Sequence, residues 1–248
     1  NQGYTTDASG QLVPGSVTIN NFASGVLPGP ASATDELSQT VNFVVEALRP
    51  EFFSVQPTIT ISPTNPNIGN LSFTLAPHVN RLFPNGGNLQ IRVRLQDDGS
   101  STAPNVNTSA FSTFSLFIAA VNDPPIAAAF TETTAEDTRL VLADTTILPR
   151  VQPGPTAALD EQTQTITITS VETRSTQGGI VAATLVAGQV TSISYTPPRN
   201  FVGTDTIVYT ARDNGMTDQN STTQISDPKQ TIGTITVTVT AVNDAPEF

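Results

Sequence analysis

The residues of this sequence that could do chemistry are mostly side chains with oxygen donors, and they recur at matched positions. An Asp-Glu pair, an Asp that opens an Asp-Asp-Gly or Asp-Asn-Gly turn sequence, and an Asn-Asp pair shortly before a proline each occur twice. They are Asp35-Glu36 and Asp160-Glu161, Asp97 and Asp213, and Asn122-Asp123 and Asn243-Asp244. Oxygen ligands of this kind suit hard cations such as Ca²⁺, which takes about six to eight of them. Cation binding is therefore the first chemistry to consider.

The residues that catalysis, zinc binding or nucleic-acid binding would require are absent or scarce in this sequence. The chain has no Cys and a single His, His78, so zinc thiolate sites and cysteine nucleophiles are excluded and a catalytic triad would depend on one residue. With 21 Asp and Glu against 10 Lys and Arg, the net charge is -11, which argues against binding to nucleic-acid phosphates. No apolar stretch approaches the length of a membrane span. We therefore expect no enzyme activity, no nucleic-acid partner and no membrane insertion.

The elements that must position these side chains come from a duplicated unit. Besides the matched acids, IRVRLQDDG at residues 91–99 resembles IVYTARDNG at residues 207–215, and FSLFIAAVNDP at residues 114–124 resembles ITVTVTAVNDAP at residues 235–246. Collinear matches of this kind indicate one domain type occurring twice. The Pro124-Pro125 pair stops a strand and stiffens its exit. The sequence therefore predicts domains at residues 1–124 and 125–248.

Hydrophobic residues alternate with polar ones within each copy. Ile91, Val93 and Leu95 alternate with arginines, and Ile235, Val237 and Val239 alternate with threonines. This period of two is typical of half-buried strands, and Pro, Gly and Asn clusters separate the runs. No amphipathic helix is evident. The pattern predicts an all-β chain of two tandem Greek-key β-sandwich domains of the immunoglobulin type.

Several motifs carry a family resemblance. AVNDPP, AEDT, YTPPRNFVGTDTIVYTARDNG and AVNDAP resemble the tandem cadherin-like repeats of large bacterial surface proteins. The likeness covers residues 126–246 almost throughout and residues 17–124 less cleanly. It implies a structural repeat module of an extracellular stalk, adhesin or surface filament, whose partners are neighbouring repeats of the same long chain or fibre. It also implies Ca²⁺ at the domain junctions, which would make the joint rigid.

The resemblance assigns metal ligands to matched positions in two groups at opposite ends of the second copy. Loops at one end of a sandwich lie close together, so the junction between the copies should gather one group and the far end the other. The first group is Asn122, Asp123, Asp160, Glu161 and Asp213, and the second is Glu136 with Asp137 beside it, Asp205, Asn243 and Asp244. In the first copy the equivalent residues are Asp35, Glu36 and Asp97, which would face a preceding domain.

The sequence also departs from this pattern and leaves alternatives open. Residues 80–90 hold no acid where the second copy has Asp205, and Asp7 is the only acidic candidate before Val17, so the first copy lends little acid to the central junction. Asp97 and Asp213 would also suit ordinary turns, in which Asp caps a backbone amide. A glycan- or protein-binding module is the alternative function, and Phe52-Phe53 and Tyr4 are its candidate exposed aromatics.

Overall fold

The computed structural model describes residues 4–6, 12–82, 89–220 and 222–245, with only the backbone described at residues 4–6 and 12. The chain divides into two compact units, Asn1–Ala120 and Val121–Phe248. The repeat places the boundary at residue 124, a few residues further along, so that residues 121–124 belong structurally to the second unit. The candidate acid Asp7 and residues 83–88 of the acid-free stretch lie outside the described residues.

The first unit is built from two three-stranded sheets. One has the order β3-β6-β5 and the other the order β4-β7-β8, with antiparallel neighbours throughout, while β1 and β2 form a separate hairpin. A 3₁₀ turn spans Pro50–Phe52. The strands are β1 (Tyr4–Thr6), β2 (Leu12–Pro14), β3 (Ser16–Ser24), β4 (Val41–Ala47), β5 (Phe53–Ser62), β6 (Asn65–Leu75), β7 (Leu89–Asp97) and β8 (Ser112–Leu116).

The second unit has the same plan with an additional strand. Its larger sheet has the order β10-β19-β16-β13, in which β10 runs parallel to β19, and its smaller sheet has the order β11-β15-β14. The pairs β9-β12 and β17-β18 lie outside these sheets. The strands are β9 (Ile126–Ala127), β10 (Phe130–Ala135), β11 (Leu140–Ala143), β12 (Val151–Gln152), β13 (Thr167–Val171), β14 (Ile180–Val186), β15 (Gln189–Thr196), β16 (Gly203–Arg212), β17 (Met216–Asp218), β18 (Gln224–Ser226) and β19 (Gln230–Thr240).

This architecture confirms the predicted all-β, Greek-key sandwich class. The chain alternates between two sheets in each unit, and the alternating residues of β19 place Ile235, Val237 and Val239 in the core. The sequence did not predict the short helix α1 (Asp144–Ile147), which is followed by a 3₁₀ turn at Leu148–Arg150. Its Ile147 side chain is fully buried, so tertiary packing holds one helical turn that has no amphipathic period. Among the described residues, every helix is too short to traverse a bilayer.

The aromatic residues proposed for a binding face are not exposed. Phe52 and Phe53 are 4% and 6% exposed and belong to the hydrophobic core of the first unit, where Phe53 packs edge-on against Phe73. The prediction that this pair could form a glycan-binding surface is therefore wrong, because the 3₁₀ turn before β5 directs both rings inward. The side chain of Tyr4 lies outside the described part of the chain.

We expect Gly233→Ala to destabilise the second unit by about 2 kcal/mol, because a larger residue in a packed core must displace its neighbours. Gly233 pairs with Tyr209 across β16 and β19, and a Cβ atom at this position would lie 2.1 Å from Tyr209 Cζ. Denaturant unfolding would measure the loss. Ile232→Ala is the matched control, since Ile232 is 70% exposed on the same strand and should cost less than about 1 kcal/mol.

Candidate cation site

Residues 121–125 open the second unit and lie against two of its own loops. The backbone N–H of Asp123 donates to Glu161 Oε1 at 2.5 Å, and Asn122 Nδ2 donates to Asp213 Oδ1 at 2.9 Å. Asn122 is 2% exposed, and Pro125 is also buried. We call Asn122, Asp123, Asp160, Glu161 and Asp213 the linker site. The structure thus brings predicted residues together, and all of them belong to the second unit.

The loops hold the linker site in place through their own backbone turns. The N–H of Glu161 donates to the carbonyl of Ala158 at 3.1 Å, and the N–H of Gln164 donates to the carbonyl of Glu161 at 2.9 Å. Gly154 faces Glu161 so closely that a Cβ atom there would lie 1.9 Å from Oε2. The glycine in this Pro-Gly-Pro loop therefore leaves the space into which the Glu161 carboxylate folds.

Asp213 serves a turn and the linker site at the same time. Its Oδ1 accepts hydrogen bonds from the N–H groups of Gly215 at 2.9 Å and Lys229 at 3.0 Å, as well as from Asn122 Nδ2. The turn-capping role considered from the sequence is thus present. Its Oδ2 is buried and has no hydrogen-bond donor, so one oxygen of this carboxylate remains available to a cation.

Two further buried oxygens in the same place also lack donors. They are Glu161 Oε2 and the amide oxygen Oε1 of Gln164, whose Nε2 donates to Asn122 Oδ1 at 2.7 Å. A buried polar atom without a partner costs free energy unless a ligand satisfies it. The residues present therefore fit a hard, oxygen-seeking cation. Gln164 was not among the predicted ligands, although the recurrence of Gln39 and Gln164 at matched positions could have identified it.

The electrostatics of Glu161 point the same way. Burial raises the pKa of Glu161 to about 8 from 4.5; the N–H of Asp123 opposes the rise, whereas the carboxylates of Asp123, Asp160 and Asp213 add to it. A carboxyl group with a raised pKa is one whose charged form lacks compensation. A divalent cation would supply that compensation and displace the proton.

Asp227 and Lys229 border the linker site and were not predicted. Lys229 Nζ lies 2.8 Å from Asp227 Oδ1, and Thr217 Oγ1 donates to Asp227 Oδ2 at 2.7 Å. The hydrogen bond from Lys229 is the main cause that holds the pKa of Asp227 below its usual value. Thr217 Oγ1 also accepts a hydrogen bond from the N–H of Asn122 at 3.0 Å and so connects Asp227 to the linker site. Because Asp227 is paired with Lys229, this connection adds no unpaired charge to the site.

A second group of acidic residues lies just beyond the C-terminal ends of β10 and β19. Glu136, Asp137 and Asp244 bring one carboxylate oxygen each to within 4.8 Å of one another, and we call them the tail cluster. Glu136 is buried and accepts a hydrogen bond from the N–H of Val242 at 2.7 Å. The structure thus places Glu136 and Asp244 together as the sequence predicts, with Asp137 joining them. Asn243 is exposed, with its Nδ2 3.4 Å from the carbonyl oxygen of Asp244.

Asp205 is placed apart from the tail cluster. It is fully buried, and its Oδ2 accepts from Ser175 Oγ at 2.5 Å and from Tyr195 Oη at 2.7 Å. Its Oδ1 accepts from Thr176 Oγ1 at 3.0 Å, from the N–H of Gln177 at 2.8 Å and from the N–H of Thr206 at 2.7 Å. Burial raises the pKa of Asp205, but the hydrogen bonds from Ser175, Gln177, Tyr195 and Thr206 outweigh it and hold the pKa below its usual value. This environment indicates a structural acid.

Two of the three predicted ligands of the first unit line an open pocket. Asp35 is exposed, whereas Glu36 and Asp97 are half-buried and line a pocket of about 290 Å³ together with Gly29 and Thr108. Here Asp97 Oδ1 accepts from the N–H of Gly99 at 2.8 Å, the same turn that Asp213 makes. We call this the first-unit pocket. Its residues are the repeat equivalents of Glu161, Asp213 and Gly154.

Comparisons with known proteins agree with the resemblance seen in the sequence. Residues 121–227 match the family model described as a cadherin-like domain. The chain is 12% identical to human mucin-like protocadherin EC1-2, covering 82% of this chain and 85% of that one with a TM-score of 0.33. It is also 12% identical to domains 4 and 5 of the S-layer protein SbsC, covering 97% and 90% with a TM-score of 0.25.

Further matches are partial. An endo-fucoidan hydrolase of glycoside hydrolase family 107, MfFcnA4, is 12% identical with a TM-score of 0.27, and the match covers 83% of this chain. The chain spans only 24% of that enzyme's length. No curated protein sequence matches the chain. These structural likenesses, all with low TM-scores, carry no functional conclusion.

Proposed function

Because residues 121–227 match the family model of a cadherin-like domain, we propose that this chain is a structural repeat module of an extracellular stalk, adhesin or surface filament, stiffened by Ca²⁺. Its partners are neighbouring repeats, and the role is structural rather than catalytic. The observation that carries the proposal is the group of buried oxygens at the linker site that have no donor, Glu161 Oε2, Asp213 Oδ2 and Gln164 Oε1. A glycan-binding role has less support, since Phe52 and Phe53 are buried.

Glu161 and Asp213 would hold the cation, with Asp123, Asp160 and the amide oxygen of Gln164 nearby as further oxygen ligands. Ca²⁺ would supply positive charge where four carboxylates meet. Hydrogen bonds from Asn122 and from the N–H of Asp123 attach the segment 121–125 to the two loops. Since this segment follows the first unit along the chain, fixing it restricts the joint. The tail cluster would act similarly toward a following repeat.

Calorimetric titration with Ca²⁺ tests the proposal. We expect submillimolar binding and the release of close to one proton per ion at pH 7, because a carboxyl group with a pKa of about 8 is mostly protonated before the cation arrives. The proton count comes from repeating the titration in buffers with different ionisation enthalpies. At pH 9 the release should vanish. The absence of any heat at about 10 mM Ca²⁺, well above the range of weak extracellular sites, would contradict the proposal.

A further inference from the structure

Strand β14 forms one edge of the smaller sheet of the second unit, where it pairs with β15 on one side. On its other side only the start of the strand is covered within the described residues. There Arg174 forms a bridge to Ile180, and the N–H of Val181 donates to the carbonyl oxygen of Thr173 at 3.0 Å. The remainder of this edge, residues 182–186, has no strand beside it in the described part of the chain.

The backbone groups that point outward from this edge belong to Ala183 and Leu185. Val181 directs its N–H away from β15, and the backbone groups of an antiparallel strand alternate between its two sides, so those of Ala183 and Leu185 also point away from β15. The register shift of this pair skips Thr191 on β15 and inserts no residue into β14, so the alternation continues to Leu185. Two donors and two acceptors are thus available to another strand.

β14 lacks the features by which natural proteins protect a sheet edge, such as a charge, a proline or a short length. Its seven residues are IVAATLV, and Leu185 and Val186 are 57% and 60% exposed. The other edge strands of the larger and smaller sheets differ from it: β10 contains Glu132, β11 has four residues, and β13 has five residues with a register shift. β14 is therefore the edge of these sheets best suited to pairing.

The strand that complements this edge is β14 of a second copy. In an antiparallel pair with its twofold axis at Thr184, Ala183 of each copy lies opposite Leu185 of the other. Each such pair exchanges two N–H···O=C hydrogen bonds, so the outward groups of both residues are satisfied. The tight turn at Ala187-Gly188, with φ of 49° and 80°, then directs each chain away before it reaches the bridge at Ile180 of the other.

We propose that β14 is an interaction surface through which two copies of this chain associate edge to edge, joining their smaller sheets into one sheet of six strands. No charged residue occurs from residue 175 to residue 198, so two chains of net charge -11 can approach here without directly opposed charges. The inference goes beyond the proposed function and uses neither the linker site nor Ca²⁺. Because the paired segment is short, we expect a Kd of about 1 mM or tighter, strengthened by added salt.

Amide hydrogen exchange of the full chain, measured by NMR at about 0.05 mM and about 2 mM protein, tests the pairing residue by residue. The amides of Ala183 and Leu185 should exchange at least about twofold more slowly at the higher concentration. Those of Ala182 and Thr184, which point toward β15, should change much less and are the internal control. Equal slowing of Ala183 by a peptide of the β13 sequence, TITSV, would show that the edge accepts any strand and would overturn the assignment to a second copy.

Sedimentation velocity gives the second readout. The weight-average mass should rise with concentration from 26.0 kDa toward twice that value. Leu185→Lys should abolish the rise, because a charge at an edge opposes pairing. Val141→Lys is the matched control, since Val141 is 58% exposed on β11 at the other edge of the same sheet, and it should leave the rise unchanged. Both variants should melt like the wild type.

Three results would overturn the inference: an unchanged mass at about 2 mM protein, equal effects of the two lysine variants, or growth beyond two copies. Both experiments are run with Ca²⁺ and with EDTA. Edge pairing without calorimetric Ca²⁺ uptake would refute the calcium proposal alone. Ca²⁺ uptake without edge pairing would refute the association alone.

Discussion

Glu161→Gln should stabilise the protein in EDTA at pH 9 and abolish its response to Ca²⁺. The pKa of Glu161 is raised to about 8 from 4.5, so its contribution to stability is complete below about pH 4.5 and is lost as the pH rises through 8. Above pH 8 the wild-type protein holds an uncompensated buried charge that glutamine does not carry. We expect a gain on the order of 3 kcal/mol, or roughly 10 °C in the melting temperature of the second unit.

Adding Ca²⁺ should reverse the order of stability of Glu161→Gln and the wild-type protein. At saturating Ca²⁺ the wild-type protein gains the binding free energy and Glu161→Gln does not, so the wild type becomes the more stable protein. At pH 5 in EDTA the two should melt together. Thermal unfolding at pH 5 and pH 9, with Ca²⁺ or EDTA, measures all four conditions. Should Glu161→Gln keep the full Ca²⁺ response, the linker site would not be the site of binding.

Glu36→Gln is the matched control for this experiment. Glu36 occupies the repeat-equivalent position and faces Gly29 as Glu161 faces Gly154, but it is half-buried beside an open pocket. The open pocket gives its carboxylate access to water, so neutralising it should shift the melting temperature by less than about 2 °C at either pH. The contrast between the two positions isolates the effect of covering the site with residues 121–125.

Asp205→Ala should destabilise the second unit by about 4 kcal/mol, equally in Ca²⁺ and in EDTA. Removing the carboxylate takes the acceptor from buried or half-buried donors, among them Tyr195 Oη and the N–H of Gln177. Breaking a buried, fully hydrogen-bonded charge network costs about 3–5 kcal/mol. Because the pKa of Asp205 is lowered, the stability that it provides is complete above the ordinary pKa of an aspartate and is lost as the pH falls through the lower folded-state pKa.

Two milder variants control for the loss of packing. Asp205→Asn keeps the shape and the Oδ1 acceptor for the backbone N–H groups, so it should cost less than alanine. Tyr195→Phe removes one donor and leaves the carboxylate with its others, which should cost about 1 kcal/mol. Chemical unfolding with Ca²⁺ and with EDTA measures each variant. A loss seen only with Ca²⁺ would contradict the structural role and restore Asp205 as a ligand, as the resemblance implies.

The fold class and the duplication of this protein follow from the amino-acid pattern alone. The alternation of Ile235, Val237 and Val239 specifies a strand with one buried face, because successive side chains point to opposite sides of a sheet. The matched positions of Asp160-Glu161, Asp213 and Asn122-Asp123 were enough to gather the linker site, since loops that connect neighbouring strands of a sandwich meet at one end. Phe52 and Phe53 could not be placed, because a strand's period does not say which way a 3₁₀ turn before it faces.

The role of each acidic residue depends on the three-dimensional surroundings of its carboxylate. Asp205 and Glu136 each carry a carboxylate and each lie in a motif that resembles a ligand position. Asp205 accepts hydrogen bonds in the core from Ser175, Tyr195 and two backbone N–H groups. Glu136 instead lies beside two other carboxylates. Glu36 and Glu161 occupy equivalent positions and differ in burial because residues 121–125 cover only the second. Whether a carboxylate stays charged without a cation depends on its desolvation and on its hydrogen-bond donors, and both are set by residues distant along the chain. The pairing of carboxylates is thus visible in the sequence, and their environment is not.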